Sequence, residues 1–476
     1  MVQMLGPKRK VGILTFSDGR RFAHERQYDV TRSFQERLVN ALEATGEVEC
    51  VTGEIVWTSE LARSEAQRLA AAGVELTIFN FAVWAFPNFP AIAARFAPGP
   101  FLLFSNVNPQ YSGMVAMLAS AGALDATGDP HHRVMGDIAR PAVLQRVMAY
   151  VRAASAVSRL RGETYGVFGG RSMGMYTATP DPAQWQRVFG IDVEHIDQWE
   201  IVRRSELVPQ DAVTRARRWL ESRCREVGYD GAALTPETLE RQVRSYHAVR
   251  DLIDEWDLDF VGIKAQPELT NHFCTMDVTE AFLNDPYDWD GAHEPIVCAT
   301  EADSDGALTM ELFKHLAQTP VLFADLRHYD EADDCWDLTN SGQHATYFAG
   351  RSFDPTTNLP QVRLLPEVFF FPAGGASVQH VAAPGEVTLA RLTRQRDRYW
   401  MAIVPADFLA FDEATASAKA RATTWEWPHA FARLRVSPDE FVATYSSNHI
   451  HGVYGDYVAE LVWICKILGI DHRVYA

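Results

Sequence analysis

Two acidic residues lie 24 positions apart in the stretch PIVCATEADSDGALTMELFKHLAQTPVLFADLR, which spans Pro295–Arg327. The stretch reads as strand, helix, strand. Glu301 follows the first strand almost directly, and Asp325 follows the second. Asp303 or Ser304 can cap the helix between them by accepting a bond from a free backbone N–H. In a βαβ unit the two strands run parallel, so both acids would lie at the C-terminal edge of one sheet, where open α/β sheets bind ligands. Neighbouring strands are about 4.8 Å apart. Two carboxylates that close repel unless a cation or a shared proton compensates. The spacing therefore points to a metal site or an acid–base pair. The plainer alternative makes Glu301 and Asp303 helix-start acids and pairs Asp325 with Arg327.

Other segments carry weaker signals. SSNHIHGVYG places His449 and His451 just before the apolar closing segment. Imidazole combined with carboxylates suits a Mn²⁺-like ion, although turn and core histidines give the same pattern. SDGRRFAHER, after the first strand, supplies cations such as Arg20 and Arg21 that could hold hydroxyls or an anion. GGRSMGM, at Gly169–Met175, is not a G-x-G-x-x-G and reads as a tight turn after a strand. Trp84, Trp425 and Trp427 offer flat faces suited to sugar C–H groups, and equally suited to a core.

The elements that must position these residues alternate along the first third. Lys10–Phe16, Val48–Val51, Glu75–Phe81 and Phe101–Ser105 read as strands. Helical periodicity covers about residues 24–44, 59–72 and 91–96. Such alternation implies βαβ units and a mostly parallel sheet. A long helix over Pro141–Leu160 and a new strand at Thr164–Phe168 suggest a boundary near residue 162. The pattern then repeats, with helices at 211–227, 236–255 and 306–318, and strands at 260–263, 295–299 and 320–323. The last third is β-rich, over 362–371, 386–392 and 398–404, and closes with a helix over 457–468. The expected fold is α/β: two doubly wound, Rossmann-like N-terminal domains with mostly parallel sheets and a β-rich C-terminal domain. The expected divisions are 1–162, 163–318 (carrying Glu301) and 319–476 (carrying Asp325 and His449).

Composition narrows the class. The 476 residues are 47% hydrophobic and 22% charged, as in ordinary globular chains. A net charge of −18 argues against a nucleic-acid or anionic-membrane surface. The six cysteines form no C-x-x-C pair; several sit in apolar runs and read as buried thiols of a reducing compartment. No apolar run approaches the roughly 18 residues needed to span a bilayer. The expected location is cytoplasmic.

Taken together and in order, the blocks VGILTFSDGRR, GGRSMG, IKAQPEL, DVTEAFLNDPYDWDGAHEPIVCATEADSDGALTM, FADLR, LTNSG, TTWEWPHAFARL and SNHIHGVYGDYVAELVWICKILGI resemble the L-fucose isomerase family. That group includes L-fucose/D-arabinose isomerases and is related to L-arabinose isomerases. The resemblance implies an aldose–ketose isomerase that uses Mn²⁺ or another divalent cation such as Mg²⁺ or Co²⁺. It places the metal ligands on Glu301, Asp325 and His449, with the two acids also transferring protons through a cis-enediol; a hydride shift is the alternative route. It implies a homo-oligomer, trimeric or hexameric, with sites near subunit contacts. Trp84 matches a tryptophan that closes a neighbouring subunit's site. Arg20, Met173, Ser341, Trp425 and Asn448 match pocket positions.

Three departures bear on the substrate. Lys264 stands where some members carry Gln, with Gln266 nearby. Ala376 follows Gly374-Gly375 where an aromatic is expected, and the chain stops soon after its closing helix, where typical members run longer. An L-fucose- or D-arabinose-like sugar is the default substrate. Lys264, Arg171, Arg20 and Arg21 suggest an anionic alternative, a 6-deoxy-6-sulfo sugar such as sulfoquinovose converted to sulfofructose. A non-catalytic sugar-binding protein on the same scaffold is the reading from a different class.

Overall fold

The computed structural model describes residues 6–341, 343–367 and 371–476. The chain divides into two compact units. One comprises Pro7–Arg159 with Ala459–Gly469, and the other chiefly Leu160–Val458 with Ile470–Ala476.

The first unit is a parallel five-stranded sheet built from β1 (Arg9–Phe16), β2 (Val48–Thr52), β3 (Leu76–Phe81), β4 (Phe101–Ser105) and β5 (His131–Met135), in the order β2-β1-β3-β4-β5. Strands β1, β3 and β4 are buried along almost their whole length, as expected of parallel strands covered on both faces. Helices Arg21–Glu43, Ser59–Ala71 and Pro141–Arg159 realise the expected periodicity. The helix Gly113–Thr127 and strand β5 were not anticipated. That helix has no apolar stripe to read, because alanine, glycine and leucine surround it on all sides. From the closing helix, Trp463 and Ile467 pack against the core of this unit, and Glu460 pairs with Arg152 at 3.0 Å.

The second unit holds a parallel sheet of β6 (Thr164–Phe168), β7 (Asp192–Ile196), β9 (Phe260–Ile263) and β12 (Cys298–Thr300), in the order β12-β9-β6-β7. A short β8 (Glu226–Val227) and a two-stranded pair, β10 (Tyr287–Asp288) with β11 (Gly291–Ala292), fall between them in sequence. The remaining strands are β13 (Leu322–Asp330), β14 (Cys335–Thr339), β15 (Arg363–Pro366), β16 (Ala376–Gln379), β17 (Gly385–Gln395), β18 (Arg398–Phe408), β19 (His429–Leu434), β20 (His449–Tyr454) and β21 (Asp471–Val474). Seven of them form a mostly antiparallel sheet ordered β17-β20-β13-β14-β19-β18-β21, and β16-β15-β8 form a small third sheet. The β-rich reading of 362–371 is met over β15, and its residues 368–370 lie outside the described residues. One apolar cluster joins residues from Phe168 to Cys298 with residues from Ala349 to Val378.

One expectation is overturned. Pro295–Arg327 is not a βαβ unit of one sheet. β12 pairs with β9 in the parallel sheet, whereas β13 pairs antiparallel with β14 and β20 in the seven-stranded sheet. Asp325 also sits inside β13 rather than beyond it. A short apolar run bounded by turns shows that a strand exists but not which sheet it joins. Here a helix, Ser304–Ala317, carries the chain from one sheet to the other.

Candidate metal centre

Glu301 is presented by a strained turn. It and Ala302 have φ of 58° and 48°, two successive non-glycine residues in the left-handed region. Such conformations cost about 1–3 kcal/mol each and persist where surroundings over-determine them. The restraints are visible: Ala302 N–H donates to Ile263 O at 2.9 Å, Asp303 N–H to Thr300 O at 3.1 Å, and Thr300 N–H to Gln343 Oε1 at 3.0 Å. The turn aims the Glu301 carboxylate at His449, with Oε2 3.4 Å from Nε2.

Asp325 arrives from the other sheet. It lies opposite His449 in the β13–β20 ladder and opposite Thr339 in the β13–β14 ladder. Its Oδ1 is 3.3 Å from His449 Nε2. Asn340 Nδ2 donates to Oδ2 at 2.9 Å and Asn448 Nδ2 to Oδ1 at 3.1 Å, so two amides hold this carboxylate. Burial raises its pKa, His449 opposes that, and Glu301 reinforces it.

His449 is fully buried, with its ring against Phe323. Its Nδ1 donates to Asp303 Oδ2 at 2.7 Å. Its Nε2 faces the two carboxylates without a hydrogen-bond partner among the described residues. Burial alone would lower the imidazole pKa. The Asp303 bond and the neighbouring Glu301 and Asp325 outweigh it and raise the pKa to about 10. The site thus calls for a positive charge at Nε2, which a proton or a metal ion can supply. Ligands at right angles on an octahedral ion with bonds near 2.1 Å lie about 3 Å apart. The observed 3.3 and 3.4 Å separations are close to that spacing. Two carboxylates and one imidazole also suit a Mn²⁺-like ion, so these residues fit the group that the sequence implies.

The remaining sequence candidates are placed as follows. Asn448 belongs to the centre through Asp325. Ser341 follows Asn340 but bonds Asp277 at 3.1 and 3.2 Å and Glu367 at 3.4 Å. Lys264 directly follows β9, beside the end of β12, since Ile263 is in register with Thr300. Its Nζ pairs with Glu268 at 2.7 Å. The turn carrying Arg171 and Met173 packs against it: Ser172 Oγ donates to Lys264 O at 3.4 Å, and a Cβ on Gly169 would sit 2.8 Å from Lys264 Cβ. Arg171 is exposed, over the Tyr176 ring, and Met173 is exposed at φ 44°. Gln266 is half-buried just beyond, in the segment leading to helix Glu268–His272.

A cavity of about 730 Å³, lined by Gly169, Gly170, Gln198, Trp199, Lys264 and Glu268 among others, opens at this end of β6, β7 and β9. Glu301, Asp325 and His449 do not line it. Trp425 lines a separate cavity of about 500 Å³, and the Arg363 and Arg421 guanidinium groups stand over its ring at 5.4 and 4.1 Å. Arg20 and Trp84 belong to the first unit. Arg20 precedes helix Arg21–Glu43 with its charge absorbed by Asp18 at 2.6 Å, and Trp84 packs half-buried on the apolar core. His451 is a core histidine: its Nε2 accepts from Arg391 at 2.8 Å. Sequence reasoning missed Asn340 and Arg391, and saw Asp303 only as a helix cap.

A tighter acid–histidine group exists elsewhere. Glu163, Glu311 and His315 offer ligand atoms all within 4.8 Å of one another. Lys314 Nζ lies 2.5 Å from Glu311 Oε1, so that group already contains its own cation.

A strained acid after a strand of the parallel sheet, facing an acid–histidine pair from the antiparallel sheet, defines a candidate metal centre where the two sheets of the second unit meet. Family comparison agrees. The L-fucose isomerase first N-terminal domain matches residues 8–162, the second N-terminal domain matches 163–253 and 257–319, and the C-terminal domain matches 338–475. The chain belongs to the L-fucose isomerase family. Among curated relatives, the L-fucose isomerases of Citrobacter koseri and Salmonella arizonae are each 26% identical over 368 residues, covering 67% of this chain and 61% of theirs. The chain thus spans less than two thirds of the length of these relatives.

Proposed function

We propose that the protein is an aldose–ketose isomerase that binds a divalent cation, Mn²⁺ by default, and acts on an open-chain L-fucose- or D-arabinose-like sugar. The observation that carries the reading is the buried His449 Nε2, set between Glu301 Oε2 and Asp325 Oδ1. Glu301, Asp325 and His449 would hold the ion, which acts as a Lewis acid toward sugar oxygens when bound.

The chain's own residues do the rest. Glu301 takes the proton from C2 of the aldose. The C2–H electrons form the C1–C2 double bond of a cis-enediol while the former carbonyl oxygen, O1, gains a proton. Asp325, held by Asn340 and Asn448, moves the O2 proton, and protonation at C1 completes the ketose. Splitting the two roles between carboxylates in different surroundings follows the general pattern for paired acids. Lys264 spends its charge on Glu268 and Arg20 on Asp18, which leaves the anionic sulfo-sugar alternative with less support. On family membership we also propose a cytoplasmic homo-oligomer with the sugar as its partner. Among the described residues no helix is long and apolar enough to cross a membrane.

The test is proton NMR in D₂O on protein stripped with EDTA, with and without Mn²⁺, offered L-fucose, D-arabinose, L-arabinose and sulfoquinovose. Mn²⁺-dependent ketose carrying deuterium at C1 supports the enediol route. Unlabelled ketose selects the hydride shift. Turnover of sulfoquinovose alone selects the anionic substrate. Bound sugar with no conversion of any of the four selects the sugar-binding reading.

A further inference from the structure

Three fully buried charged or polar groups stand behind His449 on the side away from the two carboxylates. Asp303 Oδ2 accepts the Nδ1 proton at 2.7 Å. Arg391 grips Asp303 with both arms of its fork, Nη1 to Oδ2 at 2.5 Å and Nη2 to Oδ1 at 2.9 Å. Arg391 Nη1 also donates to His451 Nε2 at 2.8 Å. Asp303, Arg391, His449 and His451 are all 0% exposed. Asp303 further caps helix Ser304–Ala317 by accepting Gly306 N–H at 3.2 Å. Space is tight: a Cβ on Gly306 would fall 2.6 Å from Asp303 Oδ2 and 2.8 Å from Arg391 Nη1.

A fully buried ion pair is a costly way to stabilise a fold, since its desolvation roughly cancels its attraction. It can set geometry, however. A carboxylate that takes the Nδ1–H fixes the tautomer and leaves the Nε2 lone pair for a metal, and such outer partners tune ligand basicity. Arg391 holds Asp303 in that orientation through its two-armed contact.

We infer that Asp303 and Arg391 are positioning residues, a two-part buttress that presents His449 Nε2 to a divalent cation between Glu301 and Asp325. The inference rests on the metal-binding reading above. It adds that affinity is tuned outside the three ligands as well, by a pair drawn from the helix start and from β17. The β17–β20 register, with Ala390 opposite His451, supplies the Arg391 contact.

The experiment measures Mn²⁺ binding to stripped full-length protein by electron paramagnetic resonance, and the visible spectrum of the Co²⁺-loaded form, alongside thermal melting. Asp303→Asn should weaken Mn²⁺ binding by about 10- to 100-fold and alter the Co²⁺ bands as the imidazole ligand is lost or loosened. Those are changes that a cap serving only the fold would not produce. If Asp303→Asn does not fold, Arg391→Lys is decisive: it keeps a positive charge but loses the fork, and should shift affinity and spectrum in the same direction. Wild-type affinity and spectrum in whichever variant folds would overturn the buttress. Wild-type protein that binds no Mn²⁺ at all would overturn the metal site itself, a separate result.

Discussion

Two acid–histidine clusters occupy the second unit, and they differ in where their positive charge comes from. Around His449, the carboxylates of Glu301 and Asp325 face a buried Nε2, and the Arg391 guanidinium is committed to Asp303, which bonds the other ring nitrogen. Around His315, Glu163 lies at 2.6 Å and Glu311 at 3.2 Å, and Lys314 sits within the group at 2.5 Å from Glu311. The second cluster is the more compact, yet its lysine does the work that an ion would do. Proximity of ligand atoms alone therefore does not separate the two clusters. On the proposed reading, the distinguishing feature is a buried imidazole between two carboxylates with no lysine or arginine among them.

The largest expected effect breaks the first cluster. Glu301→Gln removes the proposed base and should lower isomerisation by about 10²- to 10⁴-fold, the usual worth of a general acid–base group. Its melting temperature should stay near wild type. Activity within a few-fold of wild type would end the assignment. Next, Lys314→Met leaves the buried Glu311 carboxylate without its lysine, with His315 still beside it. Denaturant unfolding at pH 8 should show a loss of about 3 kcal/mol, and unchanged stability would mean that Lys314 is not the resident cation.

Metal addition separates the clusters directly. Mn²⁺ at 100 times its Kd should stabilise wild-type protein by about 2.7 kcal/mol. His449→Gln should lose that gain and Glu311→Gln should keep it; the opposite pattern would exchange the roles of the two clusters.

The smallest effect is a pH slope. Burial pushes Glu163 up from 4.5 to about 8 against the pull of Lys314. Between those values the folded protein holds a proton that the unfolded chain has released. This contribution to stability is therefore complete below about pH 4.5 and lost as pH rises through 8. Glu163→Gln should make the unfolding midpoint vary less between pH 5 and pH 8. An unchanged slope would assign the dependence to other groups.

Much of the alternating α/β pattern was legible because buried parallel strands are short apolar runs and their covering helices carry one apolar face. Phe101–Ser105, Thr164–Phe168 and Phe260–Ile263 coincide with observed strands. Helices without such a face, such as Gly113–Thr127, left no periodic trace. In the candidate centre, Glu301, Asp325 and His449 could be chosen from chemical type, spacing and family resemblance. Arg391 could not: an arginine in a β-run reads as a solvated residue, and nothing in TLARLTR says that it is wholly buried.

The sequence by itself determined the family, much of the alternation of strands and helices in the α/β regions, and which side chains could carry chemistry, because these depend on local pattern and residue type. Only the tertiary structure decided that β13 leaves the parallel sheet and that Asp325 meets His449 across an antiparallel ladder. It also showed Asp303 to be more than a cap. Those facts depend on which strands pair over more than 100 residues of chain. Pairing between strands of similar apolar content is chosen by the whole core, not by any segment alone.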